Sequence, residues 1–379
     1  MDRRSVLTQR VLCVNLGSRS AKLTVLDVPA DARLGEPGAP VAEAEPSLEA
    51  MTEGTALAAF AAAPLDAVAY RIVRVRELPE ADAVPFDDAA RASILAAGEF
   101  APLHTRGVLA AHDALRAALP RARHVAVFDA AFHRTIPPRA AAYGLPYRDF
   151  AAGWRKVGFH GLSHAYAAAR TAVLLGDARP ARKLVSAHLG GGCSIAAIDG
   201  PRSVDTTMGF TPQDGLLMAT RSGTLDAGML LAYMRAKQLS IDDAERLISE
   251  RSGLLGLGGS ADMREIVAAR ERGDERAALA YDVFVYRTIV AAGAAAAALD
   301  GLEALAFLGG IGERAPGVRA DVCAGLSFLG VRVDPARNGP ENGDACISPA
   351  GEGVAVLRIH TREDWVLALA ATDAGYARP

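Results

Sequence analysis

RVLCVNLGSRSAKLTVLD, residues 10–27, is the stretch on which the fold turns. An apolar run at 11–14 enters a turn of Gly and Ser and leaves through the alternating Leu23 and Val25, closing at Asp27. That order predicts strand, turn, strand. The pattern returns in KLVSAHLGGGCSIAAID, residues 183–199, where an apolar run again enters a Leu-Gly turn and leaves through a second run closed by an aspartate. Leu16-Gly17 and Leu189-Gly190 are separated by close to half of the 379 residues. One such loop is an ordinary hairpin. Two in corresponding halves predict a duplicated domain with a cleft between the copies.

Outside the hairpins the pattern is αβ. A helical periodicity begun near Ala277 runs through 289–299, a buried strand is expected at 302–307, and the Gly-rich stretch FLGGIGE, 307–313, reads as a turn after that strand. GLLGLGGSADMR, 253–264, reads as a loop ending at an acid and an arginine. Further helices are expected over 89–97, 107–118, 164–175 and 241–249. Residues 29–63, rich in Pro, Ala and Glu, read as loop and edge structure.

Composition bounds the class. Apolar residues make 51% and charged residues 22%, ordinary for a globular chain of two or three domains. A net charge of −3 gives no global basic field, so nucleic acid is not an expected partner. The longest apolar run, 289–299, is well short of the ~20 residues that span a bilayer, and the run at 11–14 is too short for a signal-peptide core. Cys13, Cys193, Cys323 and Cys346 are widely spaced, as free thiols in a reducing cytoplasm would be. Of 41 basic residues only four are lysines (Lys22, Lys156, Lys183, Lys237), so a lysine kept beside a Gly/Ser loop stands out.

Glycine lets backbone N–H groups approach an anion closely, and several such loops in one chain point to a polyphosphate ligand. No stretch fits GxxxxGK[ST] or a GxGxxG that opens a helix, which disfavours P-loop and Rossmann readings. Polar residues beside the loops sharpen this. Asn15, Ser18, Ser20 and Lys22 lie on the first hairpin; His160 and His164 lie in GFHGLSH; Arg71 and Arg221 adjoin apolar or turn-forming stretches; Asp129 ends the apolar run 125–128. Glu363 falls in a mixed-charge run, ordinarily a solvated face. The residues alone therefore predict a two-lobed enzyme that handles nucleotide phosphates.

At these residues the chain resembles the acetokinase family of the actin-like ATPase and sugar-kinase superfamily. The resemblance runs from residue 11 to about 371 through NLGSRSAK (15–22), APLH (101–104), VFDAAFH (127–133), GFHGLSH (158–164) and HLGGG (188–192). It continues through SVDTTMGFTP (203–212), TRSGTLD (220–226), SADMRE (260–265), GGIGE (309–313) and TRED (361–364). It implies an α/β fold of two duplicated actin-like (ribonuclease H-like) lobes with an ATP cleft between them. The first lobe, 1–132 plus 363–379, would be trimmed and serve the acyl substrate; the second, 133–362, would bind nucleotide. By position, Asn15 and Glu363 resemble the family's Mg²⁺ ligands (Mn²⁺ would serve as well). Lys22, His188, Leu189, Gly190, Gly191, Gly192, Asp262, Met263, Arg264, Gly310, Ile311, Gly312, Glu313 and Arg314 match its ATP-contacting positions. Arg71 matches the arginine for the carboxylate substrate and His104 a further active-site histidine. Asp129 matches the catalytic carboxylate, and His160 with Arg221 the pair that stabilises the transferring phosphoryl group. Val73, Leu103, Phe159 and Pro212 match the small apolar pocket for the acyl chain.

The activity implied is reversible transfer of the ATP γ-phosphoryl group to acetate, in a cytoplasmic homodimer. The alternatives are a kinase for propionate or another short-chain acid, and a nucleotide-binding regulator without turnover. The chain departs from the family where His-Gly-Gly is replaced by Arg74-Val75-Arg76, a His by Tyr70, Asn-Pro by Thr105-Arg106, and two Asn by Gly191 and Arg314. Most departures surround the expected acyl site.

Overall fold

The computed structural model describes residues 8–17, 21–47, 49–50, 64–98, 102–176, 183–340, 343–351 and 353–372. Ser18, Ser20 and the side chain of Leu103 lie outside the described residues. The chain divides into two compact units, Met1–Arg134 with Arg362–Pro379, and Thr135–Thr361.

The first unit is built on strands β1 (Thr8–Leu16), β2 (Ala21–Pro29), β3 (Pro40–Ala44), β4 (Ala67–Ile72), β5 (Ala83–Pro85) and β6 (Arg123–Phe128), in the order β3-β2-β1-β4-β6-β5. β1, β4 and β6 are parallel, whereas β2, β3 and β5 pair antiparallel. β1 is buried on both faces, and its period of two divides the labour. Leu12, Val14 and Leu16 share a core with Ile94 and with Val108 and Leu115 of helices Asp88–Ala96 and Pro102–Ala118. Cys13, on the other face, meets helix Glu363–Ala370 through its thiol, which donates to the Asp364 carbonyl at 3.1 Å. Asn15 falls on that same face.

The second unit repeats the plan with β7 (Lys183–Leu189), β8 (Cys193–Asp199), β9 (Arg202–Thr206), β10 (Ala304–Leu308), β11 (Ala345–Cys346) and β12 (Ala355–Arg358). Its order is β11-β12-β10-β7-β8-β9, with β7, β10 and β12 parallel and the others antiparallel. Strand for strand this is the first sheet again, and both quoted hairpins are its opening pair. Helix Gly161–Leu174 packs on β7 and β10, and helix Glu275–Ala298 on β7, β8 and β9. By length and composition that second helix is apolar enough to cross a membrane. Its buried Ala280, Phe284, Thr288 and Ala292 instead form one face against the sheet.

Two local expectations differ from the fold. Residues 309–312 do not form a free turn; they open the short helix Gly309–Arg314 directly after β10. Gly309 makes the join at φ 73°, where a Cβ would come within 2.7 Å of the Leu189 carbonyl oxygen. Low glycine helix propensity is overridden here by close packing on the strand ends. Residues 253–264 likewise hold helix Gly253–Gly258 and the start of helix Met263–Glu271.

Candidate active site

The carboxyl ends of the parallel strands carry the polar groups of the first unit. Asn15 is near the end of β1, Arg71 near the end of β4, and Asp129 directly follows β6. In parallel sheets such strand ends are where ligands bind. The helix Glu363–Ala370 adds Glu363 from its first turn, where the helix dipole favours a carboxylate. Arg71 ties the set together. Its Nη2 donates to Asp129 Oδ2 at 2.8 Å, and its Nη1 to Asn15 Oδ1 and Glu363 Oε2, each at 3.1 Å. Asn15 Nδ2 donates to Glu363 Oε2 at 2.7 Å. The Asp129 side chain is 0% exposed and that of Glu363 11%, so Glu363 is not on a solvated face. Burial opposes the Arg71 charge, but Asp129 and Glu363 more than offset it and hold its pKa above the ordinary value.

Lys22, the cross-strand partner of Asn15, reaches Glu43 at 3.3 Å and Asp364 at 3.5 Å. Partial burial opposes its charge too, and those carboxylates again prevail, raising its pKa. Of the expected ATP-contacting residues, Lys22 alone lies in the first unit.

A cavity of about 10 Å³ is lined by Arg71, Val73 and His104, and by two of the departures, Arg74 and Thr105. Leu16, Ile72, Ile94 and Val108 complete its wall. Arg74 is buried at 7% exposure, whereas Arg76 and Arg106 are exposed. Tyr70 sits on the opposite face of β4 from Arg71, fully buried, its hydroxyl 2.8 Å from His124 Nδ1 and its ring edge-on to Phe86. That substitution belongs to the core.

The second unit holds the other expected residues. His160 precedes helix Gly161–Leu174 in the left-handed region, φ 55°, a strained conformation for a residue other than glycine. Its ring stacks on His188 with centroids 4.2 Å apart, and its Nδ1 lies 3.0 Å from Ser194 Oγ. Arg221 is partly buried; its Nη1 donates to the Pro212 carbonyl at 3.1 Å and contacts Met218 Sδ at 3.7 Å. It forms no ion pair among the described residues, and burial lowers its pKa. Gly190, Gly191 and Gly192 make the β7–β8 turn after Leu189.

Space at Gly192 is tight. A Cβ there would stand 3.2 Å from His160 Cε1 and Nε2 and 3.5 Å, ordinary contact, from Arg221 Nη1. Gly192→Ala is expected to shift the His160 ring by a few tenths of an ångström and lower kcat about 10-fold, with the thermal midpoint within about 2 °C of wild type. Steady-state kinetics beside a melting curve checks this.

The remaining expected nucleotide positions are less alike. Asp262 caps helix Met263–Glu271 by accepting from Arg264 N; Met263 is buried, and the Arg264 side chain, 90% exposed, folds onto Asp262. Gly310, Ile311 and Gly312 form the short helix after β10, with Arg314 Nη2 lying over Gly310. Phe159 is buried and Pro212 half-buried in this unit. Glu313 turns inward, accepting from His360 Nδ1 at 2.6 Å and from Thr361 N and Oγ1 at 3.1 and 2.9 Å.

Burial alone would raise the Glu313 carboxyl, but the His360 and Thr361 hydrogen bonds hold it at about 2, against an ordinary 4.5. A depressed carboxyl stabilises the fold fully above the unfolded value and loses that contribution as pH falls toward the folded one. Glu313→Gln should therefore cost about 3 kcal/mol at pH 7, converging with wild type near pH 2. Urea unfolding across that range reads the difference.

Residues that the sequence reading did not single out complete the second set. Ser163, Ser186 and Ser194 each contact a histidine ring. Parity was the available signal. Ser186 and His188 alternate along β7, and His188 pairs with Ser194 across β8.

A duplicated α/β sheet with cations and carboxylates at its strand ends defines a phosphotransferase of the actin-like ATPase class. Comparison with known proteins narrows this further. The sequence pattern of the acetokinase family matches residues 47–369, and the chain belongs to that family. It is 45% identical over 280 residues to the acetate kinase of Gloeobacter violaceus, covering 73% of this chain and 69% of that protein. Among solved structures it is similar to Porphyromonas gingivalis acetate kinase (TM-score 0.83, 32% identity, 95% and 98% of the two chains covered). It is also similar to a propionate kinase from Francisella tularensis (TM-score 0.84, 28% identity, 96% and 99% covered).

Proposed function

We propose that this chain is an acetate kinase, transferring the γ-phosphoryl group of ATP to a carboxylate oxygen of acetate to give acetyl phosphate and ADP, reversibly. The observation that carries the reading is Arg221. It is a partly buried guanidinium whose polar contacts are a carbonyl and a thioether, set with His160 against a Gly-rich turn. A cation so held is stabilised by an arriving anion, and phosphoryl transfer supplies one.

Acetate ionises near pH ~4, so at neutral pH the nucleophile needs no general base. The barrier is mutual repulsion between two anions and the charge that develops on the transferring group. In the proposed reaction Arg71 takes the acetate carboxylate, with His104 and Val73 at the same cavity and Leu103, Phe159 and Pro212 as further acyl contacts. His160 and Arg221 take the phosphoryl oxygens. Asp129, fully buried on Arg71, orients that guanidinium. The second unit is the proposed nucleotide side, through His188–Gly192, Asp262–Arg264 and Gly310–Arg314, and the first unit is the acyl side with Lys22.

The donor set suits Mg²⁺ or Mn²⁺. Asn15 offers an amide oxygen and Glu363 a carboxylate, with Asp129 a second carboxylate on the same guanidinium. Mg²⁺ takes one or two carboxylates and fills its remaining positions with phosphates and waters. Among the described residues no three His, Cys, Asp or Glu side chains form a metal cluster. When bound, the ion would neutralise phosphate charge.

A homodimer is part of the proposal. Helix Ala227–Lys237 is largely apolar yet buries none of its residues, with Met229, Leu231 and Tyr233 exposed. Helix Glu275–Ala298 exposes Leu279, Tyr286 and Val290. A second copy would cover such faces. The free cysteines accord with a cytoplasmic setting.

Hydroxylamine trapping with ATP, Mg²⁺ and a panel of two- to four-carbon acids tests the function. For an acetate kinase, kcat/KM for acetate should exceed that for propionate by about 10-fold or more, the scale of one methylene in an apolar pocket. A preference for propionate would make the chain a kinase of the longer acid. No hydroxamate with any acid, alongside tight ATP binding, would leave a non-catalytic nucleotide binder.

A further inference from the structure

Arg221 lies in an irregular stretch between β9 and helix Ala227–Lys237, so no helix or strand of its own fixes its backbone. Two neighbouring helix ends do. The last turn of helix Ile241–Glu250 has carbonyls with no partner inside the helix, and the first turn of helix Gly253–Gly258 has amides in the same position. Residues 218–222 meet both sets. Ser222 N donates to the Ile248 carbonyl at 2.9 Å, and Thr220 Oγ1 to the Ser249 carbonyl at 2.8 Å. In the other direction, Leu254 N and Leu255 N donate to the Met218 and Ala219 carbonyls at 2.9 and 3.0 Å. Ser252 N, at the join of the two helices, donates to the Thr220 carbonyl at 2.9 Å.

The residues on either side of Arg221 are thus pinned to the junction of two helices. The same stretch also reaches the Gly-rich turn between β7 and β8, where Ala219 N donates to the Gly191 carbonyl at 3.2 Å. Arg221 is therefore carried between the helix junction and that turn, and its Nη1 is held at the far end by the Pro212 carbonyl. Among the bonds that pin the backbone here, only the Thr220 hydroxyl comes from a side chain, one residue from Arg221. Any rotation of the backbone at that point is amplified along the arginine side chain. A misplacement of about 1 Å can cost as much as 100-fold in rate.

We propose that Thr220 is a positioning residue for phosphoryl transfer: its hydroxyl, bonded to Ser249 at the end of helix Ile241–Glu250, sets the backbone from which Arg221 presents its guanidinium. This rests on the kinase reading for the reaction served, but the hold on Arg221 is measurable without turnover.

Thr220→Val deletes the hydroxyl at nearly equal size. It should lower kcat about 10-fold with the KM for ATP within about twofold, and Thr220→Ser, which keeps the donor, should restore most of kcat. The deciding comparison is made without the arginine. In an Arg221→Ala background, Thr220→Val should change kcat by less than about twofold, because a residue that acts through Arg221 has nothing left to position. A residue that served only the local fold would lower kcat by the same factor in both backgrounds. The second readout is the Arg221 Nε–H resonance of ¹⁵N-labelled protein without nucleotide, identified by its loss in Arg221→Ala. Its exchange with water should be about 10-fold faster in Thr220→Val and return toward wild type in Thr220→Ser. An equal loss of kcat with and without Arg221 overturns the proposal, as does a Thr220→Val protein with wild-type kcat or wild-type exchange. If Thr220→Val does not fold, Thr220→Ala removes the same hydroxyl with less bulk and is held to the same outcomes. If no acid yields an acyl phosphate, the kinase reading fails and the exchange rates still decide the role of Thr220. If acetyl phosphate forms and exchange is unchanged, only the positioning role fails.

Discussion

Arg221→Ala is expected to lower kcat about 10³-fold while the KM for ATP stays within about twofold. The split follows from what Arg221 touches. Its polar contacts among the described residues, the Pro212 carbonyl and Met218 Sδ, are neutral, so its charge is not committed to an ion pair there. Truncation leaves no buried carboxylate behind, and the protein should remain folded. What is lost is a donor preorganised for charge that appears only as the phosphoryl group moves, which lowers kcat more than binding. Arg221→Lys should recover little, because a single ammonium cannot reproduce the planar fork. Near wild-type turnover in Arg221→Ala would remove the role altogether.

Arg71 is the opposite case, and its replacement should damage stability and activity together. The guanidinium is the shared partner of Asp129, 0% exposed, and Glu363, 11% exposed. Arg71→Leu takes a hydrogen-bonded cation away from the fully buried Asp129 carboxylate, which costs about 3–5 kcal/mol. Urea unfolding should show that loss. The double variant Arg71→Leu/Asp129→Asn separates the two effects, since it removes the carboxylate charge as well as the arginine. About half of the lost stability should return, with acetate-dependent turnover still absent. Turnover returning along with stability would mean that Arg71 serves only the fold.

These two arginines also mark where the sequence is informative. The hairpins at 10–27 and 183–199 predicted a duplicated domain, and the two sheets share one strand order because each hairpin opens the same βαβ arrangement. Hairpins are legible because alternation and small-residue turns are local signals. Helix Gly309–Arg314 was not legible: three glycines argue against a helix, and only packing on Leu189 and Phe307 makes one. Side-chain partnership is equally non-local. Nothing in the run 362–364 says that Glu363 folds against a residue near the N-terminus, and nothing in FLGGIGE says that Glu313 turns inward to His360. The departures sort in the same way. Arg74 and Thr105 reach the cavity, Tyr70 falls into the core, and Arg76 and Arg106 point to solvent. Of the changes around the expected acyl site, then, Arg74 and Thr105 are the ones that line the same cavity as Arg71, Val73 and His104.

The most direct test of the proposed reaction follows the bond that forms. Wild-type protein is supplied with ATP, Mg²⁺ and acetate carrying ¹⁸O in both carboxylate positions, and the products are followed by ³¹P NMR. Attack by the carboxylate predicts acetyl phosphate whose phosphorus resonance shows the isotope shift of one bridging ¹⁸O, appearing in step with ADP. ATP consumed to unlabelled inorganic phosphate, or no product beyond unreacted ATP, would contradict it.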